Sequence, residues 1–224
     1  MKTRAGVVAL AAAFYLCLAP GSFAKHSNKQ PAANANVPGE FDYYLLTLSW
    51  APQFCATNPS GGGTAECSPK KHMGLVVHGL WPQYNDGSWP QNCSTPPPVR
   101  SDTVNHMLPI MPGKGLIQHE WSKHGTCSGL SADEYFAAIE KVFGRLTVPE
   151  QFKRPTVTAE TNPRDIESTF ATANNAPNAA FRVSCVQNQF SALEICLTKD
   201  FQYKACLKSL KECKAPELQV RPVK

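Results

Sequence analysis

Nine cysteines constrain this 224-residue chain more than any other feature. An odd number sits badly with a fully paired, oxidised protein. The first segment resolves the parity. Residues 1–24 carry Lys2 and Arg4, then a 14-residue apolar run from Gly6 to Ala19. Pro20 and Gly21 break the run, and Ser22-Phe23-Ala24 follows as a small-x-small site. This is the layout of a secretory signal peptide cut after Ala24, with an apolar stretch too short to span a bilayer. Cutting there removes Cys17 and leaves Cys55, Cys67, Cys93, Cys127, Cys185, Cys196, Cys206 and Cys213. Eight cysteines in an oxidising compartment predict four disulfides, in any of 105 pairings. The spacing CxxC does not occur, which argues against a zinc ribbon or a thioredoxin-type redox site.

The remaining composition narrows the class. Apolar residues make up 42% and charged residues 17%, values foreign to a disordered chain or a polytopic membrane protein. Without Lys2 and Arg4 the chain keeps 20 Lys and Arg against 17 Asp and Glu, a formal charge of +3. So small a charge cannot hold a polyanion through its bulk field. Any such partner must be gripped locally.

Residues 25–40 are polar and aperiodic and read as a flexible arm. Tyr43–Trp50 (YYLLTLSW) reads as a buried strand, and residues 74–80 (GLVVHGL) as a second. Pro and Gly mark residues 51–70 and 81–98 as loops. Helices are expected over Ser101–Met107 and residues 117–125. Another opens at the capping box Ser131-Ala132-Asp133-Glu134, with Tyr135, Phe136, Ile139, Val142 and Phe143 at core spacing. A further helix starts at Asn162-Pro163, with Ile166, Phe170 and Ala173 inward. Phe181–Val186 and residues 193–197 read as strands. Neither a repeat nor a linker divides the chain, so one α+β domain over residues 41–224 is expected.

Two segments hold the chemistry: VVHGLWPQY around His78, and HEWSKHGTC with His119 and His124. The second superficially resembles the metalloprotease HExxH, but its histidines are five apart rather than four. On an ideal helix that places them about 140° apart, a poor angle for one zinc ion. Glu120, Lys123 and His124 share an arc with His119, and Glu120 reaches His124 at i,i+4, where a carboxylate favours the imidazolium. The cluster reads as wet and charged. His78 stands at a strand end, followed by Trp81, Tyr84 and Trp89. Aromatic side chains of this kind stack on bases, whereas Trp50 and Trp121 read equally well as core. Two histidines and a lysine without a metal suit transphosphorylation. One ring takes the proton of a ribose 2′-OH, the other protonates the leaving 5′-oxygen, and cations hold the charged phosphorane.

At these residues the chain resembles the ribonuclease T2 family. One family segment is matched by His78-Gly79-Leu80-Trp81-Pro82 and the other by residues 119–127. Both lie in the family's order and about the usual distance apart. The lead-in and signal resemble the periplasmic bacterial branch, ribonuclease I.

The resemblance implies an α+β fold with a central antiparallel sheet flanked by several helices. It implies His124 as base, His78 as acid, Glu120 and Lys123 as stabilisers of the pentacovalent state, and His119 as a phosphate ligand. It places Trp81, with Gln83, Tyr84 and Trp89 near it, at the base. Gln83 stands where some members have Asp. The implied disulfides are Cys55–Cys67, Cys93–Cys127, Cys185–Cys213 and Cys196–Cys206. The implied protein is a secreted or periplasmic monomer that cuts single-stranded RNA without metal or cofactor. It leaves DNA intact, and its pH optimum is acidic to neutral. Asn92-Cys93-Ser94 is a glycosylation sequon beside a bridged cysteine.

Overall fold

Alternation in YYLLTLSW sets the two faces of the sheet. In a computed structural model, which describes residues 36–58, 65–68 and 70–224, this segment is β1 (Tyr43–Trp50). Its even-numbered side chains, Tyr44, Leu46, Leu48 and Trp50, are buried in the main core. Tyr43 and Leu45 point the other way, into a small second cluster with Cys196 and Cys206. Such segregation makes β1 a central strand buried on both sides.

The other elements follow in chain order. They are α1 (Ala51–Thr57), β2 (Leu75–Gln83), α2 (Ser101–Met107), α3 (Lys114–Lys123), α4 (Ala132–Arg145) and α5 (Glu150–Lys153). Next come β3 (Ala159–Thr161), α6 (Pro163–Ala173), β4 (Phe181–Val186), β5 (Gln189–Leu197) and β6 (Leu218–Val220). β1 pairs antiparallel with β2 on one side and β5 on the other. β4 pairs antiparallel with β5, and β3 with β6. Among the described residues a single pairing is parallel, Gln189 opposite Gln219 between β5 and β6. The fold is therefore α+β as expected, with a sheet that is antiparallel but for that contact.

Local chemistry explains the helices. Ser131 Oγ accepts from the Glu134 N–H, and the Glu134 carboxylate accepts from the Ser131 N–H, so the capping box closes on α4. Asn162 caps α6 by accepting from the Asp165 N–H, and Pro163 opens its first turn. Ile166, Phe170 and Ala171 are buried along α6. Ala173, expected inward, is exposed at the helix's last residue.

Several expectations need correction. Residues 51–57 are not loop: Pro52 sits in the first turn of α1, where its missing N–H costs nothing. β2 runs on through Trp81, Pro82 and Gln83, a proline tolerated on the sheet's edge strand. α3 begins at Lys114 and ends at Lys123, and a 3-10 turn, Gly125–Cys127, takes over. The end of the arm is tied down. The Gln91 N–H donates to Asn36 Oδ1 at 2.9 Å, and the Gly39 N–H to the Cys127 carbonyl at 2.9 Å. The short α5, β3 and β6 carried too few residues for a periodic signal.

All four disulfides pair as the resemblance implied: Cys55–Cys67, Cys93–Cys127, Cys185–Cys213 and Cys196–Cys206. Among the described residues no helix is long and apolar enough to cross a membrane. The signal-peptide reading of residues 1–24 lies outside the described residues.

Candidate active site

His78 owes its position to a defect in β2. Val77 and Leu80 both lie in the main core, yet they are three residues apart. A regular strand would put them on opposite faces. The register supplies the extra residue. Thr47 is opposite Gly79, the next residue Leu48 is opposite Val77, and His78 is left without a partner. This bulge brings His78, Gly79 and Trp81 to one face of the sheet. Simple alternation would have separated His78 from Trp81. Ser49, on the same face, holds His78 Nδ1 with its hydroxyl at 3.2 Å.

α3 lays the second segment against that face. Glu120 is 1% exposed and reaches over Gly79. A β-carbon at position 79 would overlap both the Glu120 carboxylate and the Trp81 indole nitrogen. Glycine is therefore required by close approach of helix to strand. The Trp81 Nε1–H donates to Glu120 Oε2 at 2.6 Å, and Glu120 Oε1 lies 3.5 Å from His78 Nε2.

This differs from the sequence reading in two respects. The carboxylate of Glu120 serves His78 and Trp81 rather than His124. Nor is the cluster wet throughout, since Glu120 and His124 are buried. His124 is the C-cap of α3, and its N–H still bonds the Glu120 carbonyl at 3.0 Å. Its ring stacks on Trp81, with centroids 5.1 Å apart and planes 30° apart. Its Nδ1 is buried without a hydrogen-bond partner. Trp81 thus spends its N–H on Glu120 and one face on His124, so it positions both side chains as well as bordering the cleft.

Burial and charge drive the ionisable groups apart. Burial pushes the Glu120 carboxyl up to about 7, against the opposing pull of the Trp81 hydrogen bond and the Lys123 charge. Burial, helped by the charges of Lys123, His119 and His78, holds His124 down to about 3. His78 is lowered too, by burial first and then by His119 and Lys123. The charged forms of these groups thus repel one another, and burial adds to the cost of each histidine's charge.

All five of these polar side chains open on one cleft of about 590 Å³. His119 and Lys123 stand on its α3 side, and Trp81 and Gln83 form part of its floor. Trp89, 52% exposed, lies on the rim. Tyr84 is not part of the lining; it packs against the main core instead. A second cleft of about 550 Å³ meets the first at His78 and is walled by Ser49, Phe54, Glu66, Pro112 and Leu116. Ser49, Glu194 and the wall residues Leu207, Ser209, Leu210 and Lys211 were not foreseen. Period-2 alternation from Tyr43 would have placed Ser49 on the site face. The wall had no local signal, being brought in by disulfides.

Comparison with known proteins identifies the family. The model of the Ribonuclease T2 family matches residues 41–206, most of the chain. The chain belongs to that family. A ribonuclease of Aeromonas hydrophila is 43% identical over 99 residues, covering 43% of this chain and 42% of the relative. A probable ribonuclease of Haemophilus influenzae is 36% identical over 136 residues, covering 55% of this chain and 49% of the relative. The chain thus spans about half the length of these two relatives or less. Among solved structures, trichomaglin, described as an S-like ribonuclease, superposes with a TM-score of 0.65 at 21% identity. That match covers 83% of this chain and 100% of trichomaglin. An RNase-related protein from Calystegia sepium gives 0.62 at 24% identity over 82% of this chain and 98% of its own. At such identities the likeness speaks for the T2 fold alone. The segments that carry the T2 resemblance, residues 78–82 and 119–127, both lie inside the matched region.

Proposed function

We propose that this T2-family chain is a metal-independent endoribonuclease acting on single-stranded RNA through the ribose 2′-OH. The observation that carries the reading is the common cleft onto which His78, His124, Lys123 and Glu120 all open, with burial favouring the neutral forms of His124 and Glu120.

His124, kept neutral, takes the proton of the 2′-OH. Its Nδ1 is buried without a partner among the described residues, which leaves Nε2 for the cleft, and a base acting through Nε2 carries its ring hydrogen on Nδ1. The 2′-oxygen bonds to phosphorus while the bond from phosphorus to the 5′-oxygen breaks. His78, charged once the phosphodiester is bound, gives its proton to that oxygen. Lys123, His119 and Glu120 surround the phosphorane, with protonated Glu120 as a donor and Lys123 as a fixed charge. The product is a 2′,3′-cyclic phosphate. In the second step His78 takes a proton from water, the water oxygen bonds to phosphorus, and the ring opens to a 3′-phosphate as His124 returns its proton to the 2′-oxygen. DNA offers no 2′-OH and is left intact.

On this reading each cleft takes one nucleoside. The one whose 2′-OH reacts must lie with His124, in the cleft that holds Trp81, Gln83 and Trp89. The leaving nucleoside goes where His78 is met without His124. Four disulfides support an oxidising compartment, secreted or periplasmic. The test is substitution of His78 or His124 by alanine. Either loses at least about 10² in kcat on RNA. Near-native turnover by either folded variant refutes the assignment.

A further inference from the structure

The far wall of the His124 cleft is a piece of chain outside the family match. That match ends at residue 206, and residues 207–211 stand directly after it. Disulfides fasten the segment at both ends, Cys196–Cys206 before it and Cys185–Cys213 after it. Leu207 and Leu210 pack on the small apolar cluster of Tyr43, Leu45 and the Cys196–Cys206 bridge. The Leu210 N–H donates to the Leu207 carbonyl at 3.1 Å, which closes a turn. The Cys213 N–H donates to the Val183 carbonyl at 2.9 Å, and Glu212 lies 3.8 Å from Arg182. The wall is thus tied to β4 and β5 where it lines the cleft.

Its polar residues at the cleft are Ser209 and Lys211. Lys208, on the same wall, does not line the cleft, while Lys204 lies 4.2 Å from the Tyr43 ring centroid and bonds Asn85, and Lys199 bonds the Gly39 carbonyl. Lys211 has no hydrogen bond or ion pair among the described residues, is exposed, and borders the same cleft as Lys123. An uncommitted cation facing a cleft for a polyanion raises the local affinity for phosphate.

Its position selects which phosphate. If the nucleoside supplying the 2′-OH fills this cleft, the scissile phosphate lies on the α3 side, at Lys123 and His119. The 5′-phosphate of the same nucleoside is at the other end of its ribose and needs a different cation from the pair on α3. We propose that Lys211, carried on the disulfide-bracketed wall, binds the phosphate one nucleotide upstream of the scissile bond. This rests on the ribonuclease reading of the cleft and extends it from a dinucleotide site to a longer strand. Ser209 limits the wall's approach: a β-carbon on Gly87, which has φ +86°, would come 3.1 Å from its hydroxyl. The wall and the loop at Gly87 therefore meet at Ser209, beside the cleft that Lys211 borders.

The experiment compares a ribodinucleotide with the same dinucleotide carrying a 5′-phosphate, in the native protein, Lys211→Ala and Lys211→Arg. In the native protein the added phosphate lowers KM, on the order of two- to fivefold for a solvent-open ion pair, with kcat unchanged. Lys211→Ala cleaves the plain dinucleotide normally but loses that advantage, and Lys211→Arg restores it. The salt dependence of kcat/KM on the phosphorylated substrate becomes shallower by about 0.7 in log–log slope in Lys211→Ala. An advantage that survives in Lys211→Ala, or an equal KM rise on both substrates, overturns the inference. Failure of the native protein to cleave the plain dinucleotide would instead overturn the ribonuclease reading itself.

Discussion

Replacing Glu120 by its neutral isostere separates the cost of this carboxylate from its use. Glu120 is 1% exposed, and burial moves its pKa from 4.5 to about 7. A raised carboxyl pKa means the native state holds the proton more tightly than the unfolded chain does. The stability this contributes is fully present below about pH 4.5 and is lost as pH rises through about 7. At about 1.4 kcal/mol per pKa unit, ionising the buried group costs about 3 kcal/mol at alkaline pH. Glu120→Gln escapes that cost. Its amide oxygen can still accept from Trp81 Nε1, which now bonds Glu120 Oε2 at 2.6 Å, and its amino group can meet His78. Urea unfolding at pH 4.5 and pH 8.5, disulfides intact, is the assay. The variant should match the native protein at pH 4.5, exceed it by about 3 kcal/mol at pH 8.5, and be the poorer enzyme at both. A stability difference that is the same at both pH values would refute the reasoning.

Three further outcomes follow from the same geometry. Gly79→Ala keeps both core clusters but drives Glu120 and Trp81 apart, so RNA cleavage falls at least about tenfold while the variant still unfolds cooperatively. The pH profile of kcat/KM on RNA falls on the alkaline side, as the His78 acid and Glu120 lose their protons. It stays high well below pH 6.5, because His124 is held to about 3; an acid limb near 6.5 would contradict a buried base. Replacing Cys93 and Cys127 together by serine opens a link across 34 residues and costs about 4 kcal/mol by chain entropy. It also frees the loop whose Asn92 N–H bonds the Lys123 carbonyl at 2.8 Å, so thermal unfolding and kcat should both drop.

The sequence was most legible where chemistry is local. Strand β1, the capping box of α4 and the Asn162 cap stand as read, because each depends on residues within a few positions of one another. The two motif segments also come together as read. What escaped was geometry made by distant parts. The bulge at His78 arises from pairing with β1, and alternation alone misplaces Trp81 relative to it. The partner of Glu120 was misassigned because an i,i+4 rule sees only the helix. In the fold, Gly79 leaves room for the carboxylate on the neighbouring strand. Tyr84 was offered as a base contact by proximity, whereas the turn after β2 carries it to the core. Residues 207–211 reach the cleft through two disulfides, which no periodicity announces.

Product analysis on one defined oligoribonucleotide, in excess EDTA, tests the central claim most directly. The account predicts cleavage to a 2′,3′-cyclic phosphate that later opens to a 3′-phosphate, with the matching oligodeoxynucleotide intact. Cleavage that stops on chelation and returns with zinc, or products ending in a 3′-hydroxyl, would contradict it.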